Sequence, residues 1–380
     1  MTFDVEELIE ESRKAAGLDD FGSDDFRPGL EALAATYDCG GFNERGRKRY
    51  RRRLVDLLAT RLRIQDAWNE HPEVLERPIT KPMVLTGLPR SGTSALFNLL
   101  AQDPAARPLL LWEAMFPDPL EGLEPGQSDP RRDAIEAHFA KAREENPDFT
   151  KMHYASADTP EECVLIHALA FSGVQMGVEI MAEPYGSWYR KQDLGPMYSY
   201  YKRLLQLLDW QRPGERWLLK TPAHMWGVEP LIATFPDVGI VWSHRNPLHC
   251  TASICSMTWT MMNPVIDIAK EALGPIAMNF YAESLERGLA SREQQDPRRF
   301  VDVSHDDFVA DSRAVAERIY EHFEMPVPDL VRAAFEEHVA ANPKGQHGEH
   351  EYSLEEYGLD PDRVRERFAR YIEQFEISLD

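Results

Sequence analysis

Cysteine is scarce: the 380 residues hold four, Cys39, Cys163, Cys250 and Cys255, none in C-x-x-C spacing. That excludes a disulfide framework and points to a reducing compartment. Positive charge is also in short supply. With 42 Lys and Arg against 64 Asp and Glu, the formal net charge is −22, which repels a phosphate backbone and counts against a general nucleic-acid binder. It leaves room for a local anion site. The opening segment MTFDVEELIEESRKAAGL has neither the basic region nor the apolar core of a signal peptide. The most lipid-like stretch, CVLIHALAFSGVQMGVEIM from Cys163 to Met181, is interrupted by His167, Gln175 and Glu179. Each is costly in a bilayer, so a buried helix is expected and no transmembrane segment. The histidines are scattered, and His347-Gly348-Glu349-His350 lacks a further ligand pair, so no metal site is expected. Internal repeats and low-complexity tracts are absent. What remains is a cytoplasmic protein, 43% hydrophobic and long enough to bury a large core.

The first eighty residues read as helical and charged. Leu54, Leu57, Leu58 and Leu62 recur at helical spacing among arginines, and the run RGRKRYRRR reads as a solvated helix face balanced by the acidic segment before it. Short apolar runs then alternate with helical patterns. Met83–Thr86, Trp217–Leu219 and Gly239–Trp242 read as buried strands and Phe300–Val303 as another strand; 95–102, 222–235 and 312–323 read as helices. Such alternation predicts an α/β fold, a parallel sheet flanked by helices. Residues 117–145 and 160–208 are read as helical insertions covering a site. The expected organisation is a helical N-terminal region over 1–80, an α/β domain over 81–358, and a C-terminal helix over 359–380.

The first strand runs into Gly87-Leu88-Pro89-Arg90-Ser91-Gly92-Thr93-Ser94 and then a helix. A glycine-rich turn at a helix start is an anion cradle, because free backbone N–H groups face the ligand. The P-loop of nucleotide hydrolases places a lysine where Thr93 stands, so triphosphate hydrolysis is disfavoured, and Arg90 supplies the nearest charge. A second cluster, Ser243-His244-Arg245-Asn246-Pro247 with Ser253 eight residues past Arg245, follows the strand ending at Trp242. A guanidinium at a strand end and a hydroxyl two helical turns on can grip a second phosphate. Together the clusters predict one nucleotide carrying two separate anionic groups.

These motifs resemble those of sulfotransferases that use 3′-phosphoadenosine 5′-phosphosulfate (PAPS). PRSGTS, from Pro89 to Ser94, is similar to the family's 5′-phosphosulfate loop, and Arg245 with Ser253 to its 3′-phosphate motif. Pro343-Lys344-Gly345 is a weaker match to a lysine–glycine turn closing on that phosphate. WLLKTPAHMWGVEPLIATFPD followed by VWSHRNP is especially similar to bacterial members and their tyrosylprotein relatives, and the helical first eighty residues to an actinobacterial-type branch. The chain departs from animal cytosolic members at Arg90 (lysine there), at Ala95 (an adenine-stacking aromatic) and at Asn246 (usually aspartate).

The resemblance implies a P-loop-type fold, PAPS as co-substrate without a metal, and in-line sulfonate transfer to a hydroxyl of a small acceptor. Arg90, Ser91, Gly92, Thr93, Ser94, Arg245, Ser253, Lys344 and Gly345 would bind the nucleotide. Glu113 lies 23 positions after Arg90, where relatives place a catalytic glutamate, and is expected to be the general base. Lys220, ending a central strand, would steady charge on the bridging oxygen. His153 and His224 are substrate-side candidates for the same proton. Glu161, Trp188, Tyr189, Met197, Tyr198, Tyr200 and Tyr201 lie in the insertion expected to cover the acceptor, and its aromatic and apolar residues suit a hydrophobic alcohol, sterol, phenol or lipid. A homo-oligomer is compatible with this composition. Two other readings stay open here: a P-loop nucleotide kinase or NTPase, and a nucleotide-binding regulator without catalysis.

Overall fold

A computed structural model describes residues 2–39, 41–124, 126–145, 156–174, 182–342 and 353–379. Five strands, β1 (Met83–Gly87), β2 (Ala106–Pro108), β3 (Arg216–Lys220), β4 (Gly239–His244) and β5 (Phe300–Ser304), form one sheet in the order β2-β3-β1-β4-β5. Every pairing is parallel, and β1 is buried along its whole length. The α/β expectation holds. Successive side chains of a strand point to opposite faces, and each face has its own core. Val84, Leu219, Ile240, Trp242 and Phe300 enter the larger one. Met83, Leu85, Leu218, Val241, Val301 and Val303 enter the other, against helices α4 (Thr93–Leu100), α11 (Ser312–His322) and α12 (Asp329–Ala341).

The N-terminal helices α1 (Val5–Ala16), α2 (Arg27–Cys39) and α3 (Glu44–Glu70) share the larger core through Leu8, Leu30, Leu54, Leu58 and Leu62. The basic run lies on α3. Arg51 reaches Glu11 of α1 (2.7 Å), Arg47 reaches Asp38 (2.8 Å) and Lys48 reaches Glu44 (2.6 Å), so that face is balanced by acidic neighbours. After β2 come α5 (Leu111–Met115) and α6 (Pro130–Glu145). Helix α7 (Gly195–Gln211) crosses the core and is buried nearly all round. The connection from β3 passes through a short 3₁₀ turn capped by Thr221 and into α8 (Val228–Thr234). Beyond β4 lie α9 (Pro247–Met262) and α10 (Lys270–Arg292). The terminal segment is two short helices, α13 (Pro361–Arg367) and α14 (Ala369–Gln374), broken at Phe368.

The strand order places the functional face. From β1 the chain runs to edge strand β2, returns to β3 beside β1, then crosses to β4 and β5 on the other side. The neighbours β1 and β4, whose onward connections run in opposite directions, therefore border the point where the winding reverses. Open α/β sheets bind ligands in the crevice beyond the carboxyl ends of such strands. Gly87, Lys220, His244 and Ser304 are the residues that end β1, β3, β4 and β5.

Candidate active site

The loop after β1 is held open by backbone conformation. Gly87 has φ of 135°, and a Cβ there would stand 2.4 Å from the carbonyl oxygen of Ser243. Only glycine lets β1 lie this close to β4 as it turns. Arg90 and Gly92 also have positive φ, 69° and 90°, and a non-glycine residue in that region marks a backbone held by its surroundings. Ser91 N–H closes a tight turn on Leu88 O (3.2 Å). The first amides of α4 have no carbonyl four residues back to bond. The Ser91 hydroxyl is buried without a partner among the described residues. These free donors fit an anionic phosphate or phosphosulfate group.

The two charge clusters, far apart in sequence, meet at this loop. Arg90 Nε donates to Ser253 Oγ (3.0 Å), and Arg245 Nη1 donates to the carbonyl oxygen of Arg90 (2.8 Å). Arg245 is placed by the end of β4 and by the C-terminal helices: its backbone N–H donates to Tyr371 Oη (3.1 Å). Asn246 caps α9 by accepting from Leu248 N–H (2.9 Å). An asparagine serves that purpose as well as an aspartate, which accounts physically for the departure at this position. Ser253, two turns into α9, is therefore held on a rigid element.

Sequence reasoning missed His305, the first residue after β5. Its ring lies 3.0 Å from where a Gly92 Cβ would be, so it walls the loop. Burial first, then Arg245, lowers its pKa.

Lys220 is buried at the end of β3 and bridges two partners. Its Nζ donates to Ser94 Oγ in the first turn of α4 (2.8 Å) and to Glu162 Oε1 (2.5 Å). Glu162 was not singled out in the sequence. It is brought here by pairing of Pro160 with Leu110 and by hydrogen bonds from Glu161 N–H to Leu109 O (2.8 Å) and from Cys163 N–H to Lys220 O (3.0 Å). Glu161 beside it accepts from the Glu162 N–H (2.7 Å), and burial raises the pKa of its carboxyl.

Glu113 is placed otherwise than the sequence suggests. It is 1% exposed, and both oxygens are fully engaged. Arg107 donates to them at 2.7 and 2.9 Å, Arg212 at 2.9 and 3.0 Å, and the Leu110 N–H at 3.0 Å. Burial alone would raise its pKa, but the two guanidiniums outweigh burial and lower it. Where a general base was expected, the structure places Glu113 at the centre of a buried ion-pair hub, completed by Arg107 lying 3.8 Å over the Trp217 ring.

His224 is also core. It is fully buried, its Nδ1 pairs with Tyr198 Oη (2.9 Å), and burial followed by His167 drives its pKa well below the ordinary histidine value. Tyr189, Met197, Tyr198, Tyr200 and Tyr201, read as an acceptor cover, pack into the larger core. His153, Lys344 and Gly345 lie outside the described residues. Among the described residues no group of three or more His, Cys, Asp or Glu could hold a metal ion, and no helix is long and apolar enough to cross a membrane.

A family model described as "Sulfotransferase family" matches residues 82–329, the span holding the loop, Lys220, Arg245 and Ser253. The chain belongs to the sulfotransferase family. Among solved structures it is similar to sulfotransferase STF1 from Mycobacterium tuberculosis H37Rv, at 33% identity over 97% of this chain and 98% of that one, with a TM-score of 0.84. Sulfotransferase STF9 from Mycobacterium avium matches at 29% identity, covering 99% and 98%, with a TM-score of 0.88. Both matches extend through the N-terminal helices, and they place this sulfotransferase with the actinobacterial-type branch. No curated protein matches the chain.

Proposed function

We propose that this sulfotransferase takes its sulfonate from PAPS and delivers it to the hydroxyl of a small, hydrophobic acceptor. The observation that carries the reading is the meeting of Arg90 with Ser253 and Arg245 at one loop. A nucleotide with a 5′-phosphosulfate and a separate 3′-phosphate has two anionic groups to offer such a site. In this reading Ser91, Gly92, Thr93 and Ser94 cradle the 5′ group. Arg245 and Ser253 hold the 3′ group, with Lys344 and Gly345 closing on it. Lys220 meets the charge that develops on the bridging oxygen.

The hydrolase reading has less support. Its lysine is replaced by Thr93, which is buried in the first turn of α4, and the nearby cations arrive from the loop and from β3. The test is incubation with PAPS and a panel of alcohols, phenols and sterols, followed by mass spectrometry for a product heavier by one sulfonate. Product with at least one hydroxyl acceptor is expected, and no turnover of ATP with Mg²⁺. Magnesium-dependent ATP hydrolysis without sulfonated product would overturn the proposal.

A further inference from the structure

Lys220 has a counter-ion that a sulfonate clamp does not need, and that pairing raises a question of chemistry. The Lys220 ammonium lies between Ser94 on the phosphate-loop helix and Glu162 on the segment facing it. The second Glu162 oxygen is 3.4 Å from the Thr221 hydroxyl, a weak contact that leaves it free for another donor. The Glu162 side chain is 30% exposed, while that of Lys220 is 5% exposed. Glu162 is therefore the more open member of the pair and Lys220 the closed one. No other acidic side chain is within ion-pair distance of Lys220 among the described residues, and Glu161 is turned to the backbone by its bond from the Glu162 N–H. Glu113, the carboxylate that spacing recommends, is closed off by two guanidiniums.

We infer that Glu162 is the general base of the transfer and that, without nucleotide, it is also the counter-ion that holds Lys220 in reserve. The inference rests on the sulfonate-transfer reading above. Arrival of an anionic donor draws Lys220 away from Glu162 and leaves the carboxylate uncompensated beside the acceptor. The acceptor's hydroxyl proton then passes to a Glu162 oxygen, and the acceptor oxygen's electron pair forms the new S–O bond. The electron pair of the old S–O bond leaves on the 5′-phosphate oxygen, where Lys220 meets the added charge. One residue pair thereby couples donor binding to release of the base.

Glu162→Gln separates the two roles, with Glu161→Gln as its comparison. The first readout is calorimetric titration with 3′-phosphoadenosine 5′-phosphate, which needs no acceptor. Glu162→Gln removes a like charge near the anion and frees Lys220, so affinity should rise about two- to fivefold, the scale of a partly exposed ion pair. The second readout is transfer from PAPS to 1-octanol and to 4-nitrophenol. Turnover of the alcohol should fall about 10²–10⁴-fold, and the phenol, which ionises without help near neutrality, should be largely spared. Glu161→Gln should change each readout less than Glu162→Gln does.

Unchanged or weaker bisphosphate binding in Glu162→Gln overturns the counter-ion role, even if neither probe is turned over. Equal loss on both acceptors, or a larger loss in Glu161→Gln, overturns the base assignment. Failure of the wild-type protein to bind the bisphosphate would instead strike the donor reading, and is visible in the same titration.

Discussion

Glu113→Ala is expected to lower folding stability by about 3–5 kcal/mol, the usual result of breaking a buried ion pair from one side. Arg107 is 2% exposed and Arg212 partly buried, and the substitution leaves both guanidiniums facing a cavity without a counter-charge. The pair is already strained by burial: desolvation pulls the Arg107 pKa down to about 10 even with Glu113 present. The hub ties β2 and α5 to the end of α7, because Arg107 also donates to Leu208 O (3.0 Å) and Arg212 to Pro108 O (3.1 Å). Urea denaturation followed by circular dichroism measures the effect. A Glu113 variant of wild-type stability with abolished turnover would return Glu113 to the role of base.

Lys220→Ala is expected to reduce turnover about 10²–10³-fold, the range for losing one preorganised group at developing charge. The loss in bisphosphate affinity should be smaller, since Arg90, Arg245 and the loop amides remain. That split distinguishes a group acting at the transition state from one that binds donor and transition state alike. Steady-state kinetics beside calorimetry reads it. Equal losses in affinity and turnover would make Lys220 a binding residue only.

The parts of the fold legible in the sequence are those whose physics is local. The central strands read as unbroken apolar runs, and β1, β3 and β4 stand where Met83–Thr86, Trp217–Leu219 and Gly239–Trp242 were expected; edge strand β5, interrupted by exposed Asp302, stands at Phe300–Val303. Edge strand β2 is three residues long and contains Pro108, too short to carry a period. The glycine loop was legible because Gly87 and Gly92 stand at positive φ, where glycine is favoured. Arg245 and Ser253 were legible because a strand end and a helix position fix their spacing.

The partners of Glu113 were not. Arg212 is 99 residues away, and only the fold shows that an apparent catalytic spacing ends in an ion-pair hub. Glu162 was missed for the converse reason. Its neighbours in sequence give no sign that Lys220, 58 residues on, will meet it. The tyrosines of α7 sit at helical spacing that a binding wall and a core share, and tertiary packing assigns them to the core.

The central claim, two anion positions served by one loop and one distant arginine–serine pair, is tested most directly by calorimetry of 3′-phosphoadenosine 5′-phosphate against AMP. Losing a charge-assisted contact costs about 1.5–3 kcal/mol, roughly ten- to a hundredfold in affinity. The bisphosphate should therefore bind the wild-type protein tighter by that factor, and Arg245→Ala should erase most of the difference while leaving AMP nearly unchanged. Equal affinity for the two nucleotides in the wild-type protein, or a difference that survives Arg245→Ala intact, would contradict it.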